Sequence, residues 1–511
     1  PRSVYDDNRR VSSLQESPRY FVQEAESVRV SNATRRGDFR QSSNAFGRRS
    51  WMTQIIQSSP PRFALLVFTS LIFLWTAILM LPFSAKSGTV TPLVDALFTA
   101  VSAICVTGLS TVDMSAHWSL FGDIVILVGI QIGGIGVLTL ASILGLTVTR
   151  RLGLRQRLLA ATDSNPMRTG RGASESQAIG LGEIGGLLSA VAISLLAIEA
   201  ALTLLITPRL MAAGYDPLHS LWYGFYLAAS AFTNTGFVPL ATGLTEFATD
   251  PYMLIVLALG VFLGSIGFPV IFALYRYAVG GGWKTHRRLG LHAKLTLVTT
   301  LLLVIAGWIL IAGLEFNNPA TYGGHGFWQT VLGTGYASVM TRSGGLGVID
   351  PLDLNGSSLL VMDMLMFVGG GSASTAGGIK VTTIAVLFIA AFAEARGYQD
   401  MQAFGRQIPV EVLRVAVSVV IWGSTIVATA TIAILHITGK PLDIVLFEVI
   451  SAFGTCGLST GLSAEGPDAV KYILAATMWA GRVGTVTLAA AIAASSRSRM
   501  FRLPEERPIV G

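Results

Sequence analysis

Charged residues are scarce in this chain. Only 13% of its 511 residues are Asp, Glu, Lys or Arg, while 52% are hydrophobic, and the mean hydropathy is +0.61. Because soluble domains carry about a quarter charged residues, this deficit excludes an ordinary soluble fold and predicts an integral membrane protein. The net charge of +7 is therefore first a signal of membrane topology, and we expect no nucleic-acid partner.

Cysteine pairs, histidine clusters and catalytic patterns are also lacking. The two cysteines, Cys105 and Cys456, provide no disulfide framework. The six histidines show no metal-ligand spacing, and the sequence has no nucleophile–base set and no phosphate-cradling motif. These absences argue against an enzyme and against an organic cofactor on this chain, so any nucleotide would bind to a partner.

Long apolar runs are abundant instead. A membrane-spanning helix needs about 20 apolar residues. The stretches that are long enough are eight in number and lie near 62–81, 119–148, 183–207, 252–280, 294–314, 358–394, 411–437 and 468–495. An even number places both termini on one side, and basic residues after the second, fourth and last spans make that side cytoplasmic. We therefore expect a multi-pass protein of the cell membrane, in contact with lipid.

The two ends of the chain differ from this apolar part. Residues 1–60 are polar and rich in Ser, Arg and Asn, a composition that predicts a disordered cytoplasmic tail. A docking segment or a segment on the membrane surface is the alternative. Residues 497–511 carry further basic side chains and are interpreted as a second cytoplasmic tail.

A shorter apolar stretch lies between the first and second spans, the third and fourth, the fifth and sixth, and the seventh and eighth. Pro92–Ile104, Ser220–Thr233 and Pro441–Gly454 each have helical composition and then break into a Gly/Thr loop. Such a re-entrant half-helix is tolerated at membrane depth only where it lines a cavity or is buried in protein. We predict an all-α integral membrane fold with four pseudo-fourfold repeats of span, half-helix, loop and span around a central pore. The repeats cover 61–150, 180–280, 292–395 and 410–496.

The loops after the four half-helices align on a glycine. The aligned glycines are Gly108, Gly236, Gly345 and Gly457. Six residues earlier, three of the repeats have a serine and the third has Val339. The third loop is the most divergent, and Gly344 is an alternative to Gly345 there. We choose Gly345 because Asp113 and Asp350 then both lie five residues after the aligned glycine.

The chemistry of four such loops favours a cation. The half-helices run inward, so the partial negative charge at their C-termini points toward the membrane centre. Rings of backbone carbonyls can replace the hydration shell of potassium. Helix packing by small residues, the alternative, does not explain glycines at matched positions. The predicted filter lining is Val106, Thr107, Gly108 and Leu109, then Asn234, Thr235, Gly236 and Phe237, then Ser343, Gly344, Gly345 and Leu346, and finally Thr455, Cys456, Gly457 and Leu458.

The sixth span contains a run of small residues. The run consists of Gly369, Gly370, Gly371, Ser372, Ala373, Ser374, Thr375, Ala376, Gly377 and Gly378, and Lys380 follows it. Five glycines cannot form a stable helix interior, since each costs about 1 kcal/mol relative to alanine. The span is therefore predicted to break midway into a flexible intramembrane gate. A hinge or a close-packing site is the alternative.

Charged residues inside the predicted spans are few. Arg482, in the last span, lies deep enough to be a functional residue. It is predicted to face the pore or the broken segment, to bond the segment's carbonyls and to raise the barrier to permeation. Glu199 is interpreted as a residue that pairs within the protein. Glu448 is interpreted as supporting the fourth half-helix or adding negative potential.

A transporter of a different class is the second hypothesis. A secondary transporter for an organic solute also uses broken helices at the membrane midplane. It explains the break in the sixth span, but it predicts two inverted repeats rather than four parallel ones.

These motifs resemble the Trk/Ktr/HKT superfamily of potassium transporters over roughly residues 62–495. The most specific pieces are CVTGL at Cys105–Leu109, NTGF at Asn234–Phe237, GSASTAGGIK at Gly371–Lys380, TCGLSTG at Thr455–Gly461 and GRVG at Gly481–Gly484. Eight spans without an extra N-terminal pair are more similar to the Ktr membrane subunit than to Trk. The third loop departs from the family's usual Arg-Thr-Ala-Gly-Phe, and the long N-terminal tail is outside the pattern.

The resemblance implies a function and partners. It implies potassium uptake through the four aligned loops, with the broken span as a gate. It also implies a homodimer and a cytosolic nucleotide-binding regulatory ring of the RCK/KTN type. Potassium is then the transported ion, and sodium is a candidate activator. Gly108 stands where plant members that transport sodium have a serine.

Overall fold

The computed structural model describes residues 60–151, 181–279, 289–324 and 326–484. Apart from Pro60, the predicted N-terminal tail lies outside these residues, and so does the predicted C-terminal tail. The description that follows concerns only the described part of the chain.

The described chain is almost entirely helical. Its longer helices are α1 Pro60–Leu79, α2 Leu93–Cys105, α3 Leu120–Arg151, α4 Leu181–Ala212, α5 Pro217–Phe232, α6 Pro251–Ile266, α7 Phe268–Val279, α8 Leu291–Glu315, α9 Phe327–Met340, α10 Gly356–Phe367, α11 Val381–Ala395, α12 Val410–Thr438, α13 Leu442–Gly454 and α14 Asp468–Trp479. A π-helical turn, Ala480–Gly484, continues α14. The half-helices predicted from the sequence correspond to α2, α5, α9 and α13.

The helices pack in four groups of three. The groups are α1–α3, α4–α6, α8–α10 and α12–α14, and in each the first helix contacts both of the others. The third helix of each group also packs on the short helix of the next: α3 on α5, α6 on α9, α10 on α13, and α14 on α2. The last contact joins the end of the described chain to its beginning, so the groups form a closed ring.

The number of membrane crossings stays a prediction. Among the described helices, three are long and apolar enough to cross a membrane by themselves: Val191–Ala212, Leu291–Glu315 and Val410–Thr438. The pair α6 and α7 makes a fourth if it counts as one span. Several shorter apolar helices accompany them, α10 and α11 among these.

The predicted span 252–280 consists of two helices rather than one continuous helix. The chain bends by 101° between α6 and α7, at Gly267, whose φ is +85°. A Cβ at Gly267 would lie 3.0 Å from the carbonyl oxygens of Ser372 and Ala373. The carbonyl of Ser265 accepts a hydrogen bond of 2.7 Å from the amide of Gly371. The bend therefore makes room for a neighbouring stretch of backbone.

The predicted break in the sixth span is confirmed. The helix stops at Phe367 and resumes at Val381. Across the gap, Val368 and Ile379 form an isolated parallel bridge, so the two ends of the interruption lie side by side.

A short hairpin was not predicted. Strands β1 Met401–Ala403 and β2 Arg406–Ile408 pair antiparallel between α11 and α12. Phe404 and Gly405, which join them, have φ of +52° and +75°, as a tight hairpin turn requires. Strands of three residues are too short to be recognised from the alternation of apolar and polar residues.

Candidate functional site

The four predicted loops share one backbone pattern. We call them loop 1 (Val106–Leu109), loop 2 (Asn234–Phe237), loop 3 (Ser343–Leu346) and loop 4 (Thr455–Leu458). In every loop the first and third residues have positive φ. The angles are 58° and 90° in loop 1, 60° and 86° in loop 2, 69° and 66° in loop 3, and 45° and 97° in loop 4. Left-handed dihedrals are uncommon outside glycine, so matched pairs indicate one conformation.

The structure brings the loops together in chain order. A Cβ at Gly108 would collide with the carbonyl oxygen of Thr235 in loop 2. One at Gly236 would lie 2.8 Å from the Cα of Gly345 in loop 3, and one at Gly345 would lie 3.2 Å from the Cα of Gly457. A Cβ at Gly457 would collide with the carbonyl oxygen of Thr107, back in loop 1. The aligned glycines are therefore sites of close backbone approach between neighbouring loops, and the loops form a ring.

In loops 1 and 4, the serine six residues before the glycine has a structural role. The hydroxyl of Ser102 accepts a hydrogen bond from the amide of Gly108 (3.0 Å), and Ser451 does the same for Gly457 (3.2 Å). The preceding amides, those of Thr107 and Cys456, donate to the carbonyls of the same two serines at 2.7 and 2.8 Å. The amides of these loops thus bond back to their own half-helices, which leaves their carbonyl oxygens to face other partners.

Loop 3 is supported differently. Val339 has no hydroxyl in the position of the serine, and the amide of Gly344 donates to the carbonyl of Met340 at 2.8 Å. The hydroxyl of Tyr336 donates to the carbonyl of Leu346 at 2.6 Å. The divergent sequence of the third repeat therefore has a matching difference in hydrogen bonding, although loop 3 occupies its place in the ring.

The aspartates five residues after the glycine are helix caps. Asp113 accepts from the amides of Ser115 (2.8 Å) and Ala116 (3.1 Å), and Asp350 accepts from the amide of Leu352 (2.9 Å). Hydrogen bonding by Ser115 holds the pKa of Asp113 below its ordinary value. The matched aspartates therefore begin the turns that follow loops 1 and 3.

The run Gly369–Gly378, here called the small-residue segment, packs against three of the loops. The hydroxyl of Thr375 donates to the carbonyls of Phe232 (3.2 Å), beside loop 2, and Gly264 (3.1 Å). The amide of Gly377 donates to the hydroxyl of Ser343 in loop 3 at 3.3 Å. A Cβ at Gly377 would collide with the side chain of Thr455 in loop 4. The glycines of the segment permit this close packing.

Three cationic side chains bond to carbonyls of the small-residue segment. Arg482, which is 2% exposed, donates to the carbonyl of Thr375, as predicted. Lys380 donates to the carbonyl of Ala376 at 2.5 Å. Arg342 donates to the carbonyl of Gly369, also at 2.5 Å. Sequence reasoning missed Arg342, although an arginine beside a loop at membrane depth is itself a functional signal.

Two buried carboxylates support the surroundings. Glu448 accepts from the hydroxyl of Ser459 and the amide of Thr460, both at 2.8 Å, and from the amide of Ser463 at 3.1 Å. It thereby holds the chain that follows loop 4. Glu199 accepts from the side-chain amide of Gln131 at 2.7 Å, as expected for a residue that pairs within the protein.

The oxygen atoms that could coordinate a cation at the ring carry no formal charge. In the parts of the chain that the structure describes, no group of three or more His, Cys, Asp or Glu side chains lies together. The oxygen atoms that the loops present are therefore those of backbone carbonyls and hydroxyls, which suit a weakly hydrated monovalent cation better than a divalent one.

Comparison with known proteins decides the family. The family model for TrkH, described as a cation transport protein, matches residues 43–501. The chain belongs to this family. Among similar proteins, the Ktr system potassium uptake protein B of Vibrio alginolyticus is 32% identical over 453 residues, which are 88% of this chain and 95% of the relative. The Ktr system potassium uptake protein D of Bacillus subtilis is 33% identical over 463 residues, which are 90% and 99% of the two chains.

A third relative is named for the uptake of both potassium and sodium. A solved structure shares the fold. The potassium/sodium uptake protein NtpJ of Enterococcus hirae is 31% identical over 469 residues, 89% of this chain and 97% of the relative. The crystal structure of the potassium transporter TrkH from Vibrio parahaemolyticus superposes with a TM-score of 0.61 at 17% identity, over 84% of this chain and 83% of that one. The chain is thus a multi-pass helical membrane protein with a TrkH-like fold.

Proposed function

We propose that this chain takes up potassium through a pore that runs along the axis of the four loops. The observation that carries the proposal is the ring itself, in which each aligned glycine lies against the next loop and loop 4 lies against loop 1. The relatives named for potassium uptake match most of the chain. The ring explains why glycine recurs at one position after each of the four half-helices.

The filter would select by backbone oxygen atoms. The amides of Gly108 and Gly457 are held by serines behind the loops, so the carbonyls are free to replace water around an ion. The four half-helices end at the loops, and their C-terminal dipoles add negative potential there without any carboxylate. Potassium is the expected ion because carbonyls can replace its hydration shell in such a ring, and because it gives up that shell more readily than sodium does.

The small-residue segment would be the gate. It packs against loops 2, 3 and 4, so it must move before an ion that has passed the loops can continue inward. Its glycines and hydroxyl side chains suit a stretch of backbone that alternates between a packed and a hydrated position. Buried Arg482, bonded to Thr375, adds positive charge that opposes a cation while the segment is in place.

The remaining parts of the proposal concern the assembly. We propose eight membrane crossings with both termini in the cytoplasm, a homodimer, and regulation by a cytosolic nucleotide-binding ring. Two of the relatives are named as potassium uptake proteins of a Ktr system, whereas the dimer and the regulatory ring rest on the resemblance of the sequence motifs. The relative named for potassium and sodium uptake keeps sodium as a candidate activator or second cargo.

The deciding experiment is flux through the purified chain. The protein is reconstituted into liposomes loaded with potassium, and uptake of rubidium is measured with and without excess external sodium. We expect rubidium uptake that persists in the presence of excess external sodium. We expect none in liposomes that contain potassium but no protein. No uptake by folded, correctly inserted protein, with or without a regulatory partner, would contradict the proposal.

A further inference from the structure

Arg342 is a buried cation for which no acidic partner is apparent. It follows the last turn of α9 and directly precedes loop 3, and it is 1% exposed. Among the described residues, none of the ion pairs involves it. Burying a guanidinium is costly unless it is hydrogen-bonded or lies near negative charge. The C-terminal end of α9 offers partial negative charge, and the carbonyl of Gly369 accepts a bond from Nη2 at 2.5 Å.

The two arginines hold different residues of the small-residue segment. Arg342 reaches the first residue, Gly369, whereas Arg482 reaches Thr375 from the last helix. Ser343, the neighbour of Arg342, accepts from the amide of Gly377 and donates to the carbonyl of Thr455 at 2.6 Å. Two adjacent residues of the third repeat thus contact both ends of the segment, and one of them also contacts loop 4.

Each arginine is held by few bonds. In Arg342, Nε and Nη1 are buried without a partner, and in Arg482 the same is true of Nε and Nη2. A side chain with spare donors can exchange its single carbonyl for water when water enters, so such a contact is reversible. The bond from Arg342 must break whenever Gly369 moves away.

We propose that Arg342 is a positioning residue that latches the small-residue segment in its packed position through Gly369, while Arg482 holds it at Thr375. The inference rests on the proposed function, because it assigns the latch to the proposed gate. It also makes loop 3 the element that links gate and filter: movement of the segment releases Arg342 and Ser343 together.

The first experiment measures uptake and selectivity in one set of variants. Arg342→Gln removes the charge, whereas Arg342→Lys keeps the charge but has fewer N–H donors. Arg414→Gln is the control because Arg414 is exposed on α12. Loss of one charge-assisted hydrogen bond should shift the packed–open equilibrium by about tenfold. We expect rubidium uptake by partner-free protein to rise about tenfold in Arg342→Gln and less in Arg342→Lys. The preference for rubidium over sodium should stay at the wild-type value.

Two results would overturn the latch. Unchanged uptake in folded Arg342→Gln means that the segment does not depend on the arginine. Uptake with lost preference for rubidium means that Arg342 supports loop 3 and not the segment. Wild-type protein that shows no uptake either with or without a regulatory partner contradicts the proposed function instead, and the latch is then decided by the labelling experiment below.

The second experiment reads the segment without ion flux. A cysteine at Ser372, which is partly exposed, is labelled with a water-soluble thiol reagent; the native Cys105 and Cys456 are buried. We expect labelling to be faster, although by less than about tenfold, when Arg342→Lys is added and unchanged when Arg414→Gln is added. Arg342→Lys retains the buried charge, so the labelling experiment still tests the latch if Arg342→Gln does not fold. Equal labelling rates in all three proteins would refute the latch.

Discussion

At the residue scale, each loop needs one glycine and tolerates a side chain at its other left-handed position. Val106, Asn234, Ser343 and Thr455 have positive φ without being glycine. The aligned glycines have a second constraint, which is the backbone of the adjacent loop. The recurrence of glycine could therefore be read from the sequence, whereas the left-handed side-chain residues could not, because residues other than glycine rarely adopt positive φ.

Gly108→Ser should impair both uptake and selectivity. The added Cβ meets the carbonyl of Thr235 and forces the two loops apart, so carbonyl spacing changes. We expect the rubidium-over-sodium preference to fall by about tenfold or more. The measurement is uptake into liposomes in mixed salts. Gly243→Ser is the matched control, since Gly243 also has positive φ (61°) but open space around it; an equal effect in both variants would contradict the filter assignment.

Ser451→Ala should destabilise the conformation of loop 4 without abolishing uptake. The change removes the hydroxyl that accepts from the amide of Gly457 and leaves a donor unpaired, at a cost of about 1–3 kcal/mol. We expect a lower selectivity for rubidium and a lower melting temperature in detergent. Ser418→Ala is the control because that hydroxyl lies on an exposed helix face and bonds within its own helix. Wild-type selectivity in Ser451→Ala would show that the serine does not set the carbonyl positions.

At the element scale, two interrupted helices fit each other. The interruption between α10 and α11 was predictable because five glycines in ten residues cannot remain helical. The sequence analysis missed the 101° bend between α6 and α7, although Pro269 stands two residues after Gly267, because glycine and proline are both frequent in membrane helices. The bend at Gly267 also accommodates the backbone of Ser372 and Ala373. One of the elements that fit the bend is thus more than 100 residues away in the chain.

Shortening the small-residue segment should open the pathway. Deletion of Gly370 and Gly371 removes the amide that bonds Ser265 and prevents the remaining residues from reaching their contacts at both ends. We expect rubidium uptake to increase in the absence of any partner, with selectivity retained. Deletion of two residues in the exposed stretch 398–400 is the control. Unchanged or lower uptake in folded protein would indicate that the segment is a packing element and not a gate.

At the scale of the whole molecule, the ring closes at one seam. There α14 packs on α2, and Lys471 pairs with Asp95 at 2.9 Å with 12% and 15% of the two side chains exposed. The other junctions join groups that follow one another in the chain. The pseudo-fourfold arrangement predicted from the sequence already places the last repeat beside the first. The pair of Lys471 and Asp95 could not be predicted, because the two residues are at opposite ends of the chain.

Lys471→Ala should destabilise the closed ring. Removing one partner of a largely buried pair leaves the other charge uncompensated, at a cost of about 3 kcal/mol. We expect a clear drop in the melting temperature of the detergent-solubilised protein, partly restored by the double change Lys471→Ala with Asp95→Ala. Lys440→Ala is the control, because its pair with Glu465 is 35% and 71% exposed and contributes below about 1 kcal/mol. Equal drops for both lysines would argue against a stabilising seam.

The seam also has a consequence for biosynthesis. Loop 1 contacts loop 4, and α2 contacts α14, so the first half-helix lacks one neighbour until the last stretch of the chain has left the ribosome. A nascent chain that has inserted only its first groups has loops but no ring. We therefore expect the ring of loops to form only after the last group has been synthesised and inserted.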